Sequence, residues 1–360
     1  MDLELTETQT IFRDTLREFL EAEVPFARVR ELEQRQCSDE KLWASLVGQG
    51  WLGVALPEAA DEGGLVEAGL LVEEVQRRAA LVPIAEAIAS AVTIARHGSR
   101  DRATQLARRI LTGEMTVAPA ILESSDRFGE VAAEVGDDGR LCGEKLFVDY
   151  ATDASHHLVA TRCGGALGLY LIDSSQPEVA MTPTPTLGRT PAARVRYDGA
   201  PAEAVCGAEG LAFLIQLARS LCAVQALACM QVALEMTVAY TSIREQFGRP
   251  IGTFQAVQHH AADMAIDTES ARFLVYEALD ALDRGEASEE QVAVAKVAVS
   301  RAVPEVTMLA QQLHGGQGFI EENDLYFFTL RGKERSLAWG TSEECLALVG
   351  RSVEAPERWL

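Results

Sequence analysis

The stretch REQFGRPIGTFQAVQH occupies residues 244–259 and joins two helical patterns. Upstream, a proline-free helix of more than thirty residues runs from about Leu211 to Arg244. Downstream, a second helical pattern covers Thr253 to about Arg284. Between them Phe-Gly-Arg-Pro-Ile-Gly dictates a sharp turn. Arg244 offers a planar fork of donors suited to a phosphate, and Arg249 adds a second charge. Phe247 gives an apolar face for a ring or a ribose. Taken alone, the same residues also read as a helix–turn–helix corner with a solvated arginine.

Two further segments lie C-terminal to it. A helix spanning Ser288 to His314 runs into QQLHGGQGFIEE, residues 311–322. Its clustered glycines let backbone approach a ligand closely, and exposed N–H groups suit a pyrophosphate. A helix C-cap followed by a loop is the alternative. The other segment is RSLAWGTSEEC, residues 335–345, the entry to a last helix from Thr341 to about Val353. Thr341 or Ser342 can cap it, and Glu343 and Glu344 fill its first turn, where N–H groups lack partners. Trp339 stands just before that entry.

Residues before about 112 read as helices. Thr6 and Gln9 form a capping box, after which Ile11, Phe12, Leu16, Phe19 and Leu20 share one face. Ser38 starts another helix, with Trp43, Leu46 and Val47 on its buried side and Gly48 and Gly50 as its stop. GWLGVALPEAADEGG is a turn-rich connector; helices follow over Leu65–Arg78 and Pro83–His97, and another runs through DRATQLARRILTG. From about 115 to 206 the texture changes to short runs such as KLFVDYA, HHLVATR, LGLYLID and ARVRYDG, separated by Gly, Asp and Pro. That is a small antiparallel β domain, barrel or sandwich. The order is therefore helical, β, helical, an α+β chain that is mainly α.

The formal charge of −22 over 360 residues argues against nucleic acid or an anionic membrane surface as partner. The seven cysteines contain no C-x-x-C pair, the usage of a reducing cytoplasm. No metal site is expected. The most apolar segment, Leu211–Met236, is broken by Gln216, Arg219, Gln225 and Gln231, which fits a buried helix better than a membrane span. The acidic N-terminus has no apolar signal core.

Together, R-x-x-F-G-x-x-I-x-x-F-Q, then Q-x-x-G-G-x-G-F, then G-T-S-E resemble the acyl-CoA dehydrogenase family. GWLGVALPEAADEGG and GEKLFVDYATDASHHLVATR match its N-terminal turn and its β-domain pattern, so the resemblance covers nearly the whole chain. It implies an N-terminal helical domain over 1–113, a central β domain (barrel or sandwich) over 114–207 and a C-terminal four-helix bundle over 208–360, with FAD as cofactor and α,β-desaturation of an acyl-CoA thioester. It also implies that one subunit grips the ADP half of its neighbour's FAD. The matching positions here are Arg244, Phe247, Gln312, Gly315 and Gly316, with Gln255 a weaker match and Thr341 matching an ADP contact within one subunit.

The resemblance breaks where the chemistry is done. The family's catalytic base is a glutamate immediately before Gly-Thr-Ser, and that position is Trp339. The other known base position, before an arginine on the long helix, is Ala218, followed by Arg219. Neither side chain can take a proton. Glu235 and Glu334 are the remaining candidates for a displaced base. The family's flavin-cradling Pro-Gly-Ala-Gly turn is absent from APAILESSDRFGEVAAEV, although Ser124, Ser125 and Asp126 keep some polarity, and KLFVDYATD lacks the family's tryptophan.

The pattern resembles the non-catalytic subunit of actinobacterial heterotetrameric (α2β2) steroid-type acyl-CoA dehydrogenases. It implies a homologous catalytic partner subunit that shares FAD with this chain. A bulky acyl-CoA, such as a steroid side chain, is the implied substrate, and an electron-transferring flavoprotein the implied acceptor. The alternatives are a self-sufficient homo-oligomeric flavoenzyme with an unrecognised base and a scaffold that has discarded flavin.

Overall fold

The computed structural model describes residues 4–56, 63–125, 127–128, 130–353. Part of the 50–64 connector and Asp126 fall outside them. Helical, sheet and helical regions follow one another along the chain, as the sequence texture implies. By contacts the chain groups into two compact units.

The first unit holds α1 (Glu7–Glu23), residues 72–80 and everything from Arg219 onward. The capping box forms as expected: Thr6 Oγ1 accepts from Gln9 N and Gln9 Oε1 from Thr6 N. Leu16 and Leu20 are buried on α1, but Ile11 is exposed. Residues 72–80 include the end of α4 (Leu65–Arg77). There Glu74 takes two hydrogen bonds from Arg17 on α1, and Glu73 accepts one from Tyr276 Oη at 2.8 Å. Burial pushes the Glu73 carboxyl up.

Five further α-helices belong to this unit among the described residues. They are α7 (Ala208–Ile243, from Arg219), α8 (Gln255–Asp283), α9 (Glu289–His314), α10 (Leu325–Leu337) and α11 (Ser342–Val353). The sequence reading of a four-helix bundle omits α10. α7 is long and apolar enough to cross a membrane, yet 78% of its most apolar window is buried within the protein. That is the pattern of a core helix.

The second unit holds α2 (Phe26–Arg35, from Ala27), α3 (Glu40–Gly48), the start of α4, α5 (Ile84–His97), α6 (Arg100–Leu111) and the sheet. The α3 cap is Asp39 rather than Ser38. The Asp39 carboxylate accepts from Leu42 N at 2.8 Å, whereas Ser38 N is engaged by Asp153. Leu42 and Leu46 are the buried residues of α3.

Among the described residues, eight strands form one sheet. They are β1 (Val117–Ala120), β2 (Glu134–Val135), β3 (Arg140–Asp149), β4 (His156–Cys163), β5 (Ala166–Asp173), β6 (Val179–Pro183), β7 (Ala192–Pro201) and β8 (Glu203–Gly207). The order is β6-β7-β3-β2-β4-β5-β8, with β1 also on β4. The sheet is mixed rather than purely antiparallel, because the short β1 and β2 both lie parallel to β4. Its core includes Leu141, Val159, Ile172, Val195 and Tyr197.

Candidate functional site

The turn after α7 is a tight hairpin. Glu245–Gln246 pairs antiparallel with Arg249–Pro250, leaving Phe247 and Gly248 at the tip with φ of 55° and 79°. Two successive left-handed residues match the twist of a two-residue hairpin. Glycine adopts this conformation freely, but phenylalanine does so at a cost of about 1–2 kcal/mol. Arg244 O closes the turn by accepting from Ile251 N at 2.8 Å. The strained Phe247 is 91% exposed, its ring edge-on to Phe254, and Arg249 lies over Phe254 at 4.1 Å. An aromatic held out in this way is a surface offered to something else.

Arg244 follows α7 directly, its N–H donating to Tyr240 O at 2.9 Å. It lines a cavity of about 470 Å³ together with Tyr240, Gln246, Gln312, His314, Gly315, Gly316 and Gln317. Gly315 has φ 60° and ψ −139°, a region open almost only to glycine. A Cβ on Gly316 would meet nothing within 4 Å, so its backbone is approachable. Gly318 is different: a Cβ there would sit 2.7 Å from Gln311 O, so packing alone demands glycine.

No carboxylate lines this cavity, although the chain is strongly acidic. Two helices end beside it, α7 and α9, and helix C-termini disfavour an anion. The Arg244 guanidinium therefore sets the sign of the site. Arginine at the hairpin base, exposed glycine backbone and the projecting Phe247 suit the ADP portion of a dinucleotide.

The structure thus brings Arg244, Gln312, Gly315 and Gly316 together. Phe247 shares their turn but projects to solvent. Gln255 is the exposed first residue of α8. Thr341 lies elsewhere, and its hydroxyl is spent as a cap, accepting from Glu344 N at 3.2 Å. Tyr240 and His314 line the same cavity as Arg244 but were not singled out by the sequence. Another cavity, of about 500 Å³, lies in the second unit beside Glu33 and Arg189 and contains none of the expected residues.

Trp339 occupies the turn that ends α10. Its φ is 58° and that of Gly340 is 114°. Arg219 Nε donates to Trp339 O at 2.9 Å, and Arg219 is 2% exposed. A Cβ on Gly340 would approach Arg219 Nη2 at 3.2 Å and Cys345 Sγ at 3.3 Å, in addition to the backbone strain. Nearby, Lys296 Nζ and Cys222 Sγ both donate to Arg335 O. Lys296 thus meets a carbonyl in the last turn of α10 and Arg219 a carbonyl of the turn that follows, where the helix's negative end lies. Burial pulls the Lys296 pKa down. Nothing at position 339 can accept a proton. Glu235 pairs with Arg77 at 2.7 Å and its side chain is 58% exposed, while Glu334 pairs with Arg335 at 3.3 Å. Among the described residues no group of His, Cys, Asp or Glu could hold a metal ion.

In the sheet unit, Glu123 ties down the segment expected to cradle flavin. Its carboxylate accepts from Lys145 Nζ at 2.6 Å, Ala132 N at 2.7 Å and Ala133 N at 3.1 Å. Ser124 and Ser125 form a plain turn beside it. Phe147 sits at a bulge in β3 with φ 48° and 55% exposure.

Comparison with known proteins gives this geometry a context. Family models for the N-terminal and C-terminal domains of acyl-CoA dehydrogenases match residues 6–114 and 211–354. The chain is 28% identical to the acyl-CoA dehydrogenase FadE27 of Mycobacterium tuberculosis over 337 residues, 90% of each. It is 33% identical to a chain of the Tcur3481-Tcur3483 steroid ACAD, with a TM-score of 0.89 over 98% of this chain and 99% of that one. A chain of the ChsE4-ChsE5 complex from Mycobacterium tuberculosis superposes with a TM-score of 0.91 at 26% identity, covering 99% of both. Homologues in this family bind FAD.

Proposed function

Because the chain belongs to the acyl-CoA dehydrogenase family, we propose that it is the non-catalytic subunit of a heteromeric, FAD-dependent acyl-CoA dehydrogenase. The observation that carries this is a contrast within the first unit. Trp339 leaves the base position without a proton acceptor, while the Arg244 cavity stays open, cationic and glycine-floored. A chain that catalysed alone would need both halves. A scaffold that had discarded flavin would need neither Arg244 nor a left-handed Phe247.

FAD supplies the hydride acceptor for α,β-desaturation when it is bound in such an enzyme. This chain's part is to hold the ADP side of it. Arg244 neutralises phosphate charge, Gly315 and Gly316 admit the phosphates close to backbone, and Gln312 donates or accepts at the rim. Phe247 covers an apolar face of the adenosine. Gln255 is a further contact in this reading, and Thr341 serves α11. The proton is removed by a carboxylate of the homologous partner subunit.

Two structural relatives are known as pairs of chains, Tcur3481-Tcur3483 and ChsE4-ChsE5. That supports a two-plus-two assembly, and the description of the first as a steroid ACAD supports a bulky, steroid-like acyl-CoA as substrate. An electron-transferring flavoprotein is the proposed acceptor, and the cytoplasm the proposed location. Arg244→Ala tests the reading: the assembled complex should lose most of its FAD on gentle purification. Unchanged flavin content would contradict it.

A further inference from the structure

Tyr240 and Arg244 are one helical turn apart and line the same cavity. The Tyr240 ring stacks on His314, centroids 4.5 Å apart and planes 19° from parallel. His314 is itself fixed. It is 5% exposed, and its Nδ1 faces Ala310 O at 2.8 Å. A carbonyl only accepts, so Nδ1 carries the proton and the ring is oriented by its own helix. The phenol ring is thus held against a rigid platform at the cavity wall. Its hydroxyl makes no hydrogen bond among the described residues. The side chains of Arg244, Gln246, Gln312 and Gln317 make none there either.

We propose that Tyr240 is a phosphate-binding residue, its O–H donating to the same diphosphate that Arg244 neutralises, and that His314 is the positioning residue that holds it there. The proposal rests on the reading of this cavity as the ADP-side site. Three physical points support it. The surrounding helix C-termini oppose an anion, so a single guanidinium needs help from neutral donors. A stacked tyrosine has little rotamer freedom left to lose when its hydroxyl engages a ligand. A phenol donor to a charged oxygen forms one of the stronger classes of hydrogen bond.

The test is FAD release from the assembled complex, followed by the rise in flavin fluorescence after dilution. Tyr240→Phe keeps the stack and removes only the donor. It should speed release by roughly tenfold or more, the loss expected for a hydrogen bond to a charged group. His314→Ala should speed release as well. Adding Tyr240→Phe to His314→Ala should then change little, because the two act on one contact. A purely structural His314 would give additive effects and overturn its assignment.

Arg244→Ala separates this inference from the reading beneath it. Faster release in Arg244→Ala with unchanged release in Tyr240→Phe overturns the inference and leaves the ADP-side site standing. Unchanged release in both overturns both. Should Tyr240→Phe fail to assemble, 3-fluorotyrosine at position 240 replaces it. Its fluorine resonance should move when FAD is stripped from the complex, and an unmoved resonance overturns the proposal.

Discussion

Arg219 Nε donates to the carbonyl oxygen of Trp339 at 2.9 Å, joining the core of α7 to the turn between α10 and α11. This contact holds a tryptophan in a left-handed conformation that the residue would otherwise avoid. Gly340 lets the guanidinium approach, since a side chain there would crowd it. The turn is built around Arg219, and the position at which the resemblance expects a base holds an indole.

Replacing Arg219 with Met should therefore weaken the first unit. It removes the buried hydrogen bond to the Trp339 carbonyl, at a cost of about 1–3 kcal/mol. Urea denaturation of the purified chain should show a lower midpoint with little change in slope. An unchanged midpoint would mean that the turn does not depend on this bond.

Trp339→Phe addresses chemistry rather than stability. If the partner subunit supplies the base, turnover per complex should stay within about twofold of the parent, since no proton passes through position 339. A collapse in kcat with intact assembly and flavin content would place Trp339 in the reaction and contradict the non-catalytic reading of this chain.

His157 gives a pH dependence. It is fully buried, with Nε2 at 3.1 Å from Ala151 O and Nδ1 at 3.0 Å from Tyr197 Oη. Burial holds its pKa below the ordinary value of 6.5. The unfolded chain thus binds the proton more readily than the folded one. Its contribution to stability is complete above about pH 6.5 and is lost as pH falls toward the folded pKa. Thermal melts should show a lower Tm at pH 5.5 than at 7.5. In His157→Gln that difference should shrink; a difference of the same size would assign the acid sensitivity to other groups.

Most of the helical order was legible because its signals are local. Thr6 with Gln9, and the Ser288 cap of α9, depend on residues three apart. α10 was missed because its buried face is the wrong chemistry. Leu325, Tyr326, Phe327 and Phe328 are inside at its start, but Arg331, Gly332, Arg335 and Ser336 follow them inside, so no apolar stripe runs the length of the helix. α2 escaped for a related reason, as its buried face includes Glu33. Within the proposed site, Arg244 and the glycines announced themselves by type and spacing. Tyr240 and His314 did not, because their stacking is a tertiary contact between α7 and α9 that neither local sequence encodes. The parallel placement of β1 and β2 on β4 is likewise a pairing choice that short apolar runs leave undetermined.

The central claim is that this chain completes a flavin site for a competent partner. Native mass spectrometry of the protein purified gently from its source reads partner chains and FAD together. The account predicts a two-plus-two complex with a second, homologous chain and two FAD per assembly. A homo-oligomer of this chain with one FAD per subunit would contradict it.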